Sequence, residues 1–82
     1  MKVSARPIDV IVSFNNGELT PVRFRVNRKD GSQVVVNIDK INNRKFERIA
    51  GYETILFNCE TDDKACELKF DKSTCKWVLF RA

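Results

Sequence analysis

Apolar and polar residues alternate with a period of two along most of this chain, and β-branched or aromatic side chains fill the apolar positions. Ile8, Val10, Val12 and Phe14 form the first such set, and Val22, Phe24 and Val26 the second. Val34, Val36 and Ile38 follow, then Ile55, Phe57 and Cys59. Cys66, Leu68 and Phe70 precede the last set, Cys75, Trp77 and Leu79. The pattern predicts six strands about 8–14 residues apart, the rhythm of a small antiparallel sandwich or barrel.

The turns can be tested against this alternation, because residues facing each other across an antiparallel pair point to the same side of the sheet. A two-residue loop at Asn16-Gly17 would set Val10 opposite Arg23 and mix core with solvent. A three-residue loop, Asn15-Asn16-Gly17, sets Val10 opposite Val22 and Ile8 opposite Phe24, and is the loop expected. By the same test Lys29-Asp30-Gly31 is a three-residue loop that faces Val26 with Val34 and Phe24 with Val36. Both loops end on a glycine, so Gly17 and Gly31 are expected at positive φ. Pro21 cannot donate to a ladder, which predicts that the second strand begins near Val22.

Between Asn42 and Gly51 the alternation lapses. Phe46 and Ile49, three apart, allow one helical turn, and a short strand from Lys45 to Ile49 is equally compatible; the segment is read as a connection. The last three sets predict a compact block on one sheet face. A loop at Asp62-Asp63 faces Cys59 with Cys66, Phe57 with Leu68 and Ile55 with Phe70. A loop within 71–74 faces Phe70 with Cys75, Leu68 with Trp77 and Cys66 with Leu79.

Composition narrows the chemistry. The 82 residues suit one domain, read as 1–82 with a flexible lead over 1–6. The chain has no His, the commonest general base and metal ligand, which removes Ser- and Cys-triad and zinc-hydrolase chemistry. The carboxylates Glu60, Asp62, Asp63 and Glu67 gather at one hairpin, where turn chemistry accounts for them. A barrel of about 80 residues is filled by its own side chains. No enzyme and no cofactor are expected. There is no apolar run of the roughly 18–20 residues a membrane span needs, and no apolar stretch follows Lys2 as in a secretory leader. The expected location is the cytoplasm, with no membrane partner. The three cysteines, six then eight residues apart between neighbours, fit no zinc pattern. A Cys59–Cys66 disulfide is the alternative to three buried thiols, but the register makes that pair a hydrogen-bonded one with splayed side chains.

Charge gives the remaining clues. The net charge is +4, with ten Lys or Arg against five Asp or Glu in residues 1–50 and five against six in residues 51–82. An ordinary solvated surface accounts for this balance. The sharper reading is a polyanion site at Arg23, Arg25, Arg28, Lys29, Arg44, Lys45 and Arg48, with aromatics stacking on bases as in small nucleic-acid-binding barrels. Val78 and Phe80 form a second apolar face on the last strand, and with Tyr52 and Phe46 they are candidates for contact with a protein. Cover for that face can come from the 42–51 connection, from the first strand closing a barrel, or from another subunit of a homodimer.

Two stretches, Gly17-Glu18-Leu19-Thr20-Pro21-Val22-Arg23-Phe24-Arg25 and Glu67-Leu68-Lys69-Phe70-Asp71 with Lys76-Trp77-Val78-Leu79, resemble those of small uncharacterised bacterial β-proteins similar in outline to SH3-like barrels. The resemblance implies a fold and no activity. The expectation is an all-β antiparallel meander of five to seven strands, a small SH3-like barrel or strongly twisted sheet. Its expected role is a non-enzymatic binding module for a protein, with single-stranded nucleic acid as the alternative partner.

Overall fold

The computed structural model describes residues 3–62 and 64–82, with side chains from Ala5 onward; Met1, Lys2 and Asp63, which belong to the expected lead and to the acidic turn, lie outside them. Seven strands run in order: β1 (Val3–Asn15), β2 (Glu18–Asn27), β3 (Gln33–Asn37), β4 (Lys40–Ile49), β5 (Tyr52–Thr61), β6 (Lys64–Asp71) and β7 (Lys76–Arg81). All neighbours pair antiparallel in one sheet of order β3-β2-β1-β7-β6-β5-β4. The sheet curls into a half-barrel. Two meanders, β1–β3 and β4–β7, are thus stitched together by β1 against β7.

β1 makes the curl. Its first part pairs with β7 and its second, from Asp9, with β2, so one strand serves both halves. Residues 3–6, expected as a flexible lead, belong to this strand; a register shift between Val3 and Arg6 coincides with Ala5 at φ 48°. The opposite ends of the sheet meet at one corner. The Ile38 N–H donates to the Val22 carbonyl (3.0 Å), while the next residue, Asp39, donates to the Glu60 carbonyl (2.9 Å). The chain therefore changes partner from β2 to β5 within one residue. The Asp39 carboxylate accepts the Asp62 N–H at 2.7 Å and holds the corner.

Three sequence expectations need correction, each for an identifiable reason. The first hairpin closes by the two-residue loop Asn16-Gly17, with both residues at positive φ and Asn15 facing Glu18. This is the turn Asn-Gly favours. The clash it seemed to impose is removed by a bulge: Val12 faces Pro21 but Ile11 faces Arg23, which restores Val10 to Phe24. Pro21 is buried there and Val22 is turned outward, so β2 begins at Glu18 and not at Val22. A bulge tolerates the missing proline N–H.

The second correction is β4, a full strand across the segment read as a connection. An extra residue, Asn42, shifts its register, and an arginine, Arg44, occupies an inward position. Those two departures hid the period from the sequence. The third is the β6–β7 register, which lies two residues from the expected one: Phe70 faces Trp77 and Leu68 faces Leu79. The loop is Lys72-Ser73-Thr74-Cys75, closed by the Cys75 N–H on the Asp71 carbonyl (2.8 Å) and by the Asp71 carboxylate accepting the Ser73 N–H (2.8 Å). A slip of two keeps every side chain on its face but carries Cys75 into the turn, at φ 57° and exposed.

Two other expected registers match. Val26 faces Val34 and Phe24 faces Val36 around a loop with Gly31 at positive φ. Cys59 faces Cys66, Phe57 faces Leu68 and Ile55 faces Phe70. The core consists of Phe24, Ile55, Phe57, Cys59, Cys66, Leu68 and Leu79, with half-buried Phe70 and Trp77 against it. The Trp77 ring lies 5.5 Å from Phe57 and 4.8 Å from Phe70, centroid to centroid.

Candidate interaction surface

The concave side of the half-barrel is largely apolar, with buried Thr61 on it and Arg44 reaching in from β4. Register places Arg44 opposite Phe57 on β5, so both point inward. Its guanidinium carbon sits 5.4 Å from the Phe57 ring centroid. One terminal nitrogen donates to Thr20 Oγ1 at 3.0 Å and the other to the Glu18 carboxylate. The side chain is 21% exposed, and Nε is buried with no hydrogen-bond partner among the described residues. Arginine suits this place because its guanidinium is weakly hydrated and presents several donors at once. Arg44 is therefore a strut from β4 to the start of β2, not a cation available to a polyanion.

Beside this strut lies a cleft of about 210 Å³, floored by Leu19, Ile55 and Phe70. Phe14 on β1 and Phe46 on β4 form its rims and are 72% and 68% exposed. Lys72, bridged to Glu53 at 3.3 Å, stands at one end. Alternation places Phe14 on the core-facing side of its strand. It does point to the concave side, but it comes one residue before the hairpin tip, where no second layer covers it. Its place next to Asn15-Asn16-Gly17 was the available signal. Ile49 and Tyr52, paired at the tip of the β4–β5 hairpin, are exposed as well.

The expected basic set does not form one patch. Arg23 and Arg25 lie on the outer face of β2, where Arg25 bonds Asp9 at 2.7 Å and reaches Gln33 at 3.4 Å. They flank a shallow groove of about 320 Å³ with the exposed aliphatics Ile11 and Val35. Arg28 opens the β2–β3 loop, its N–H donating to the Ser32 carbonyl, and Lys29 is inside that loop. Lys45 and Arg48 lie on β4, the last strand at the other end of the sheet order.

Nor are the four protein-contact candidates contiguous. Phe46 and Tyr52 belong to the β4–β5 hairpin, whereas Val78 and Phe80 are half-buried on β7. The cover that the β7 face required comes from its own sheet. Lys69 Nζ is 4.5 Å and the Arg81 guanidinium carbon 5.0 Å from the Phe80 ring centroid, and Pro7 of β1 pairs with Val78. Buried Glu67 lies 3.5 Å from Arg81 on this side.

The cysteines separate into two kinds. Cys59 and Cys66 are buried and face each other as free thiols, and hydrogen bonding to Cys66, reinforced by burial, pushes the Cys59 thiol up. Cys75, expected in the core, is an exposed turn residue. Among the described residues no three His, Cys, Asp or Glu side chains gather as a metal site, and no helix is long and apolar enough to cross a membrane. No known family, curated protein or solved structure matches the chain.

Proposed function

We propose that this protein is a small non-enzymatic module that binds a protein partner through the cleft between Phe14 and Phe46. The observation that carries the reading is the exposure of these two phenylalanines across an apolar floor of Leu19, Ile55 and Phe70. Large exposed apolar side chains grouped around a pocket are the usual anchors of a protein interface. The cleft accommodates a single bulky side chain of the partner. Two of the seven cations that a polyanion site would use, Arg25 and Arg44, are already held by Asp9 and Glu18.

Single-stranded nucleic acid is the second reading, and one observation favours it: Lys45, Arg48 and Tyr52 are all exposed on the same hairpin, a combination that can track phosphates and stack a base. The two readings separate in a pull-down from native lysate with and without nuclease, comparing the wild type with Phe14→Ser/Phe46→Ser. A protein partner that survives nuclease and is lost in the double variant is the expected result. Recovery only of nuclease-sensitive material, released steeply as salt rises, would turn the assignment to nucleic acid.

A further inference from the structure

We infer that two copies of this chain associate through the free edge of β4, pairing antiparallel about Phe46. The inference stands on the edge strand and not on the cleft reading.

Among the described residues β4 pairs as a strand with β5 alone, at one end of the strand order, and reaches β2 through the Arg44 side chain. The β4–β5 hairpin closes over Ala50-Gly51, both at positive φ, with Ile49 facing Tyr52. A two-residue hairpin makes that flanking pair a hydrogen-bonded one, and bonded pairs then alternate along the ladder. Ile49, Glu47 and Lys45 consequently spend their N–H and C=O groups on β5. Those of Arg48, Phe46 and Arg44 point to the open edge. An antiparallel second copy can satisfy them in only a few registers, and charge selects among these.

Lys45 and Glu47 project to the outer face, opposite Leu56 and Thr54 of β5, and neither forms an ion pair among the described residues. Centring the two-fold axis on Lys45 would set Lys45 against Lys45, and centring it on Glu47 would set Glu47 against Glu47. Like charges directly opposite are destabilising. Centring it on Phe46 sets Lys45 against the second copy's Glu47, and Glu47 against its Lys45. Both of these are closely spaced non-hydrogen-bonded pairs, and the free backbone groups of Arg44, Phe46 and Arg48 are bonded as well. The two exposed Phe46 rings then meet on the concave side. This register also faces Arg44 with the second copy's Arg48. Arg44 is already ion-paired with Glu18, whereas Glu53, opposite Arg48 on β5, is bridged to Lys72. The two Arg44–Arg48 pairs oppose the contact at the wider hydrogen-bonded spacing, while the two Lys45–Glu47 pairs favour it at the closer one. The bulge at Asn42 confines the pairing to the stretch from Asn43 to Ile49, so the contact is small and the dimer concentration-dependent.

Sedimentation equilibrium on the full chain, from micromolar to roughly millimolar protein, tests this. The wild type is expected to show a monomer–dimer equilibrium. Lys45→Glu and Glu47→Lys, each placing like charges across the axis twice, should weaken it about ten-fold or more. An equimolar mixture of those two variants should associate as tightly as wild type, because 45 and 47 are again complementary between unlike chains. The double variant Lys45→Glu/Glu47→Lys should do the same. Phe46→Pro removes the central edge donor without costing a bond to β5, and should leave a folded monomer. A wild type that stays monomeric throughout overturns the proposal, as does self-association indifferent to the single charge changes or not rescued by their mixture. A monomeric result leaves the cleft reading to its own test with the partner pull-down.

Discussion

At the scale of single residues, the structure shows how one side chain can be spent on architecture although its type suggests a ligand. Arg44 stands among basic residues in the sequence, yet its charge is consumed by Glu18, its donor capacity partly by Thr20, and its flat face by Phe57. Nothing local in Asn43-Arg44-Lys45 distinguishes the inward arginine from its outward neighbour; only pairing with β5 does. Asp30 gives the opposite case, a residue whose role is wholly local. Its carboxylate accepts the Ser32 hydroxyl at 2.6 Å and the Ser32 N–H at 2.9 Å. Those bonds, the hydroxyl first, lower its pKa. A group whose folded pKa is depressed stabilises the fold fully above the unfolded carboxylate value, about 3.9, and loses that contribution as pH falls through the folded value. Asp30→Ala should therefore lower the melting temperature at pH 7, and the difference should shrink as pH falls through the folded value, as thermal melts over the acid range would register.

At the scale of elements, the hairpins obey two kinds of rule. Loop chemistry was legible where the turn residues and the alternation agreed, as at Lys29-Asp30-Gly31. At Asn16-Gly17 strict alternation points to the wrong loop, because a bulge at Pro21-Val22 inserts a residue that it does not allow for. The β6–β7 slip has the same root: a two-residue shift preserves the facing of every side chain, so the apolar pattern cannot choose between the registers. The Asp71 side chain and the closing Cys75 N–H choose instead. This places a residue with a Cβ at φ 57° in the Cys75 position. Cys75→Gly should stabilise the protein by about 1 kcal/mol in urea denaturation, since glycine carries no penalty there. The same displacement predicts the thiol count. One cysteine should react rapidly with a thiol reagent in the native state, and two more only on unfolding. Three slow thiols would return Cys75 to the core.

At the scale of the whole molecule, Trp77 ties the two meanders to the core. Trp77 pairs with Ile8 of β1 and with Phe70 of β6, and its ring packs on Phe57. It therefore joins the halves as well as filling the core. Trp77→Ala should cost about 3–5 kcal/mol, a large share of the total stability of a domain this size, and a urea midpoint close to wild type would contradict that placement. The rims of the cleft behave differently. Phe14 and Phe46 are mostly exposed, so their double replacement by serine should move the midpoint little while removing partner capture.

The amino-acid sequence by itself determined the class of fold, most of the strands, the positive φ of Gly17 and Gly31 and the facing of the Ile55–Leu68 block. These follow from a period of two and from turn residues, which are local properties. The chain's lack of histidine narrowed its chemistry in the same direct way. Only the tertiary structure decided that β4 is a strand, that Pro21 is buried and Cys75 exposed, that Arg44 is a strut, and that Phe14 and Phe46 share a cleft. Each of these depends on a bulge, an even register shift or a contact between strands distant in sequence. Such features leave the alternation of apolar residues intact or hide it, and are settled only when the sheet curls and its ends meet at Ile38 and Asp39.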